Sequence, residues 1–97
     1  MQILAIEHEI PGVEPAEFAR FSRDEALRAW ELNQAGVIRE LYYRADRTTT
    51  VLMLESGSLE EAQAALASLP LVREGLIRFE LIPLAPYPGF SRLFAAA

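Results

Sequence analysis

Apolar positions along the chain switch between a spacing of two and a spacing of three to four, and the switches divide it into elements. Gln2 to His8 is apolar on both alternating faces and ends at the turn around Pro11-Gly12. It reads as a central strand. Pro15 then opens a long run of good helix formers reaching to about Gln34, with Phe18, Phe21, Leu27 and Trp30 as its large apolar contacts. Gly36 lies just past the run and is its predicted stop. Val37 to Arg44 mixes β-branched, aromatic and charged residues, the mixture of an edge strand. After the turn Ala45-Asp46-Arg47, Thr48 to Glu55 has strong strand propensity, and the two runs are close enough for an antiparallel hairpin.

Ser56-Gly57-Ser58 breaks that strand, and Ser58 followed by Glu61 fits a capping box. Leu59, Ala62, Leu66 and Leu69 fall on one face of the helix so begun, and Pro70 is expected to end it. From Arg73 to Ile82, Ile77, Phe79 and Leu81 alternate with Arg78 and Glu80, a strand with one greasy and one polar face. The segment 83–97 is rich in proline and expected to be irregular, with Ala95 to Ala97 frayed. Its Leu84, Tyr87, Phe90, Leu93 and Phe94 are too apolar for a solvated tail, so it is expected to drape over a partner subunit.

The order strand, helix, strand, strand, helix, strand predicts an α+β fold: a ferredoxin-like βαββαβ domain over residues 1–97, with both helices on one face of a four-stranded antiparallel sheet. The other sheet face needs a cover, because the first and third strands are apolar on both sides. Packing two sheets face to face supplies it and makes a dimeric α+β barrel, so the expected partner is a second copy.

Composition narrows the function. A formal net charge of −5 and scattered arginines disfavour nucleic acid. The absence of cysteine removes thiolate metal sites and cysteine nucleophiles and suits a cytoplasmic protein. No apolar run is long enough to span a membrane, and Met1 to Glu9 is too short and too charged for a signal peptide. One histidine and no clustered carboxylates give no support for a metal. Phosphate-loop and dinucleotide glycine motifs are absent.

From Gly36 onward the chain resembles the muconolactone isomerase-like family of the dimeric α+β barrel superfamily. The resemblance rests on Gly36-Val37-Ile38-Arg39-Glu40-Leu41-Tyr42, on the strand ending in Glu55, on the Ser58-Leu59-Glu60 helix start and on Leu66 through Leu71. It implies a small homo-oligomer and a cofactor-free double-bond shift in an unsaturated lactone by proton transfer. Arg39 matches an arginine of the family's second strand. Ala5 stands where the family's isomerases carry a lysine directed at the pocket, and Arg78 where they carry a carboxylate.

His8, the sole histidine, and Glu7 are the candidate catalytic residues. Strand alternation separates Ile3, Ala5 and Glu7 from Leu4, Ile6 and His8. Matching Leu4 and Ile6 to the greasy set of the last strand puts Glu7 on the barrel side with Arg78 and Glu80. It sends His8 to a helix end. Glu7 is therefore preferred as the proton-transfer residue, with Arg78 and Arg39 as anchors for a small anionic ligand. Glu80 and Tyr43 complete the candidate binding set, although interface packing also suits Tyr42 and Tyr43. The competing expectation is a non-catalytic small-molecule binding or oligomeric interaction module. A cofactor-independent oxygenase is a lesser enzyme option.

Overall fold

The computed structural model describes residues 1–95. Ala96 and Ala97, the end of the expected fraying segment, lie outside them. The chain runs β1 (Gln2–Glu9), α1 (Pro15–Arg20), α2 (Ser22–Gln34), β2 (Ile38–Tyr43), β3 (Thr50–Glu55), α3 (Leu59–Ala67), α4 (Pro70–Arg73) and β4 (Ile77–Pro83), with a 3-10 turn at Gly89–Leu93. The strands form one antiparallel sheet in the order β2-β3-β1-β4, as a ferredoxin-like fold requires. β2 is an edge strand, and β1 lies between β3 and β4.

Local chemistry sets the boundaries. The predicted single helix from Pro15 is broken at Phe21, whose φ of −105° and ψ of 3° leave the helical region. α2 ends in a Schellman motif. Gly36, at φ +81°, donates its N–H to the Asn33 carbonyl, and Val37 donates to the Leu32 carbonyl. α3 begins where Ser58 Oγ accepts the Glu61 N–H at 3.1 Å, while the Glu61 carboxylate reaches back to the Gly57 N–H. Pro70 does not simply stop the chain. It sits at the first position of α4, where its missing N–H costs nothing and its fixed φ suits a new turn.

The core lies between the helices and one face of the sheet. Ile3, Ala5, Leu52 and Leu54 from the sheet meet Ala62, Leu66 and Leu69, all at 2% exposure or less. Leu27 and Trp30, expected as large apolar contacts of the helix, are 49% and 60% exposed, and the buried position of α2 is Leu32 instead. Phe79 and Leu81 pack on the core as expected, and Arg78 and Glu80 take the opposite face.

β1 is turned the other way from the sequence-based expectation. Its register pairs Ala5 with Leu81 and Glu7 with Phe79, so Ile3, Ala5 and Glu7 face the helices. Leu4, Ile6 and His8 face the open side with Ile82, Glu80 and Arg78. Both faces of β1 are apolar, so alternation alone does not choose between them. On the helix side, Ile3 and Ala5 are both fully buried in the core.

Candidate functional site

α1 and α2 face residues of all four strands across a shared space. They leave an open cleft of about 890 Å³. Phe18, Trp30, Tyr43, Leu52 and Phe79 make its apolar walls. Residues of α2 facing it include Ser22, Ala26 and Ala29, whose short side chains leave the space unfilled.

Glu7 lies in this cleft, not on the barrel side. Thr50 on neighbouring β3 fixes it: the Thr50 N–H donates to Glu7 Oε1 at 3.2 Å and the Thr50 hydroxyl to the same oxygen at 2.9 Å. A β-branched threonine is stiff at its first side-chain torsion, so this clamp holds the carboxylate in one orientation. Both bonds fall on Oε1, which leaves Oε2 for a ligand.

A second carboxylate reaches the cleft from α2. Glu25 Oε1 accepts the Leu71 N–H of α4 at 2.9 Å. Burial pushes the Glu25 carboxyl above the ordinary carboxylate value and the nearby Glu7 charge adds to that, against the Leu71 N–H and the Arg73 charge, which lower it. The sign of the stability effect follows. A carboxyl with a raised folded-state value binds its proton more tightly when folded, so ionisation costs stability as pH rises. Glu25→Gln keeps the acceptor for Leu71 and removes the charge. Its melting temperature relative to the unsubstituted protein should improve as pH rises through 4.5, the ordinary value, and level off above the raised one. Thermal melts across that range check this, and a pH-independent difference would contradict it.

The other sequence candidates lie elsewhere. His8 Nε2 pairs with Glu80 Oε1 at 3.0 Å on the open face of the sheet, with Arg78 directly across from His8. Glu7 and Arg78 are thus on opposite faces and cannot act on one molecule within a subunit. Arg39 also fails to join Tyr43. A bulge between Ile38 and Glu40 inserts one residue, so Ile38, not Arg39, shares the face of Leu41 and Tyr43. Arg39 instead donates its Nε–H to the Gly36 carbonyl at 2.7 Å. Tyr43 does line the cleft.

Glu25 and Thr50 were not singled out from the sequence, and Trp30 was expected only as an apolar packing residue. A signal was present: Phe18, Ser22, Glu25, Ala29 and Asn33 recur at helical spacing, and a carboxylate among small residues on an inward stripe marks a helix that is not simply packed. Among the described residues no three or more His, Asp or Glu side chains gather as a metal site, and no helix is long and apolar enough to cross a membrane.

Comparison with protein families matches residues 4–89 to the muconolactone delta-isomerase family. Among solved structures, the crystal structure of muconolactone isomerase at 3.3 Å resolution superposes with a TM-score of 0.75 at 23% identity, covering 91% of this chain and 92% of that one. A comparison with curated proteins found no match.

Proposed function

This chain belongs to the muconolactone delta-isomerase family, and from that premise we propose that it shifts a double bond in a small unsaturated ring compound held in the helix-side cleft. Glu7 is the proton-transfer residue. The observation carrying this reading is a carboxylate clamped by Thr50 through one oxygen, in a cleft with aromatic and aliphatic walls. Ala5, the position aligned with the family's pocket lysine, is on the same face of β1. The first step breaks a C–H bond beside the ring's conjugated carbonyl, with the proton passing to Glu7 Oε2 and the electron pair into the extended enolate. The second delivers a proton from Glu7, whose acid proton exchanges with solvent between the steps, to a different carbon of the same system, which moves the double bond and regenerates the carboxylate. The scheme uses no cofactor. Tyr43 supplies a hydroxyl donor at the cleft for the oxygen that gains charge. The test is solvent deuterium incorporation into a panel of unsaturated lactones and cyclic enones, read by mass spectrometry. Exchange above the uncatalysed rate, at the carbons flanking the conjugated system, is expected. No exchange with any member would reject the catalytic reading and leave a binding module of the same fold.

The proposed assembly is a homodimer through the open sheet face. Leu4, Ile6, Val51, Met53 and Ile82 lie there, with Tyr42 at the edge. The tail supports the same reading, since Tyr87, Phe90, Leu93 and Phe94 are each at least 68% exposed in the single subunit. Burying one such side chain contributes roughly 1.5–3 kcal/mol. Sedimentation at micromolar concentration should show a dimer or a multiple of it. Met53→Arg at the centre of the face should reduce it to monomer, and truncation after Pro83 should weaken assembly. A monomeric unsubstituted protein would contradict the proposal.

A further inference from the structure

The charge of the cleft identifies the class of ligand it takes. Three carboxylates, Glu7, Glu9 and Glu25, line it, and among the described residues no lysine, arginine or histidine does. The cation nearest in effect is Arg73, which acts on Glu25 from outside the lining and is itself paired with Glu74 at 3.2 Å. The arginines expected to anchor an anion are engaged elsewhere: Arg39 at the Gly36 carbonyl, Arg78 on the far face of the sheet.

We infer that the cleft selects a small unsaturated or aromatic ring compound bearing a cationic group, such as a protonated amine, and rejects the matching carboxylate. The inference rests on the helix-side cleft being the functional site, but not on its being catalytic. A ligand carboxylate placed here would face like charges in a partly desolvated space, where repulsion is stronger than in water. A ligand ammonium would instead find acceptors in Glu25 and Glu9. It would also find the ring faces of Trp30 and Tyr43, which attract cations within about 6 Å of their centroids. Charge balance favours the same class during proton transfer. As Glu7 takes the proton, its negative charge passes to the enolate, which then sits beside the two remaining carboxylates, Glu9 and Glu25, and a positive group on the ligand offsets that repulsion.

The test compares three probes of similar size: benzylamine, protonated at neutral pH, benzyl alcohol and phenylacetate. Each is titrated into isotope-labelled full chain at neutral pH, with the Trp30 indole N–H and the Thr50 and Leu71 amides as reporters. Benzylamine is expected to bind at least about tenfold more tightly than phenylacetate, with benzyl alcohol between them. Added salt should shrink the ratio. The double variant Glu9→Gln, Glu25→Gln, which removes both ammonium acceptors, should bring benzylamine and benzyl alcohol close to equal while the reporters still move. Phenylacetate binding as tightly as benzylamine overturns the inference, as does a preference the double variant leaves intact. If none of the probes moves the reporters, both the inference and the choice of cleft fail. A cationic preference without deuterium exchange upholds the inference and rejects only the catalytic reading.

Discussion

Glu7→Gln is expected to lower proton-transfer turnover by about 10²–10⁴-fold, the usual contribution of a positioned general base. The substitution suits the question because it leaves the surroundings in place. A glutamine carbonyl oxygen can accept both the N–H and the hydroxyl of Thr50, so the clamp that orients the side chain survives. What is lost is the capacity to take up a proton at neutral pH. The fall should therefore appear in kcat, with the folded state unaltered by circular dichroism. A melting temperature that collapsed together with activity would mean that Glu7 acts through the fold. Turnover near the unsubstituted rate would move the base elsewhere, and the open-face pair His8–Glu80 would be the next to test.

Leu54→Ala should be the most damaging single substitution for stability. Leu54 is at 0% exposure and sits in register between Ile3 on β1 and Ile38 on β2, so it joins three strands to the helix layer. Truncating a buried leucine costs roughly 2–5 kcal/mol, because the lost burial adds to the cavity left behind. Small domains have about 5–15 kcal/mol in total and stand at the lower end of that range. For a chain of this size each kcal/mol moves the melting temperature by roughly 4–8 °C. A drop of at least about 10 °C is therefore expected in calorimetry. Leu27→Ala, by contrast, should shift it little, since that side chain is about half exposed. Equal effects at the two leucines would contradict the packing described above.

The contrast between those two leucines shows what is legible in the sequence. The elements and their order could be read because each carries its own chemistry: alternation in β4, the Gly36 stop, the Ser58 cap and the Leu59–Leu69 stripe. Their sum fixes the topology, since connections this short leave few alternatives. The orientation of β1 could not be read. Its two faces are almost equally apolar, and what decides between them is which one the helices cover, where Ile3 and Ala5 join a core with Ala62, Leu66 and Leu69, a relation between segments distant in sequence. That one inversion moved Glu7 from the barrel to the cleft and separated it from Arg78. The bulge at Arg39 had a similar consequence for β2, because one extra residue reverses every side chain beyond it. Glu7 survives as the candidate base, but for a different pocket. Glu25 and Thr50 come into view only when the helix is set against the sheet.

The central claim is that the functional site lies in the cleft between α2 and the sheet, built around Glu7 and Thr50. The most direct measurement is a titration of isotope-labelled protein with cyclohexenone and unsaturated lactones, followed residue by residue by NMR. The account predicts that the Trp30 indole N–H and the Thr50 and Leu71 amides shift together, with His8, Met53 and Arg78 unmoved. Shifts confined to His8, Met53 and Arg78, with Trp30 and Thr50 silent, would place the site on the open face of the sheet and contradict it.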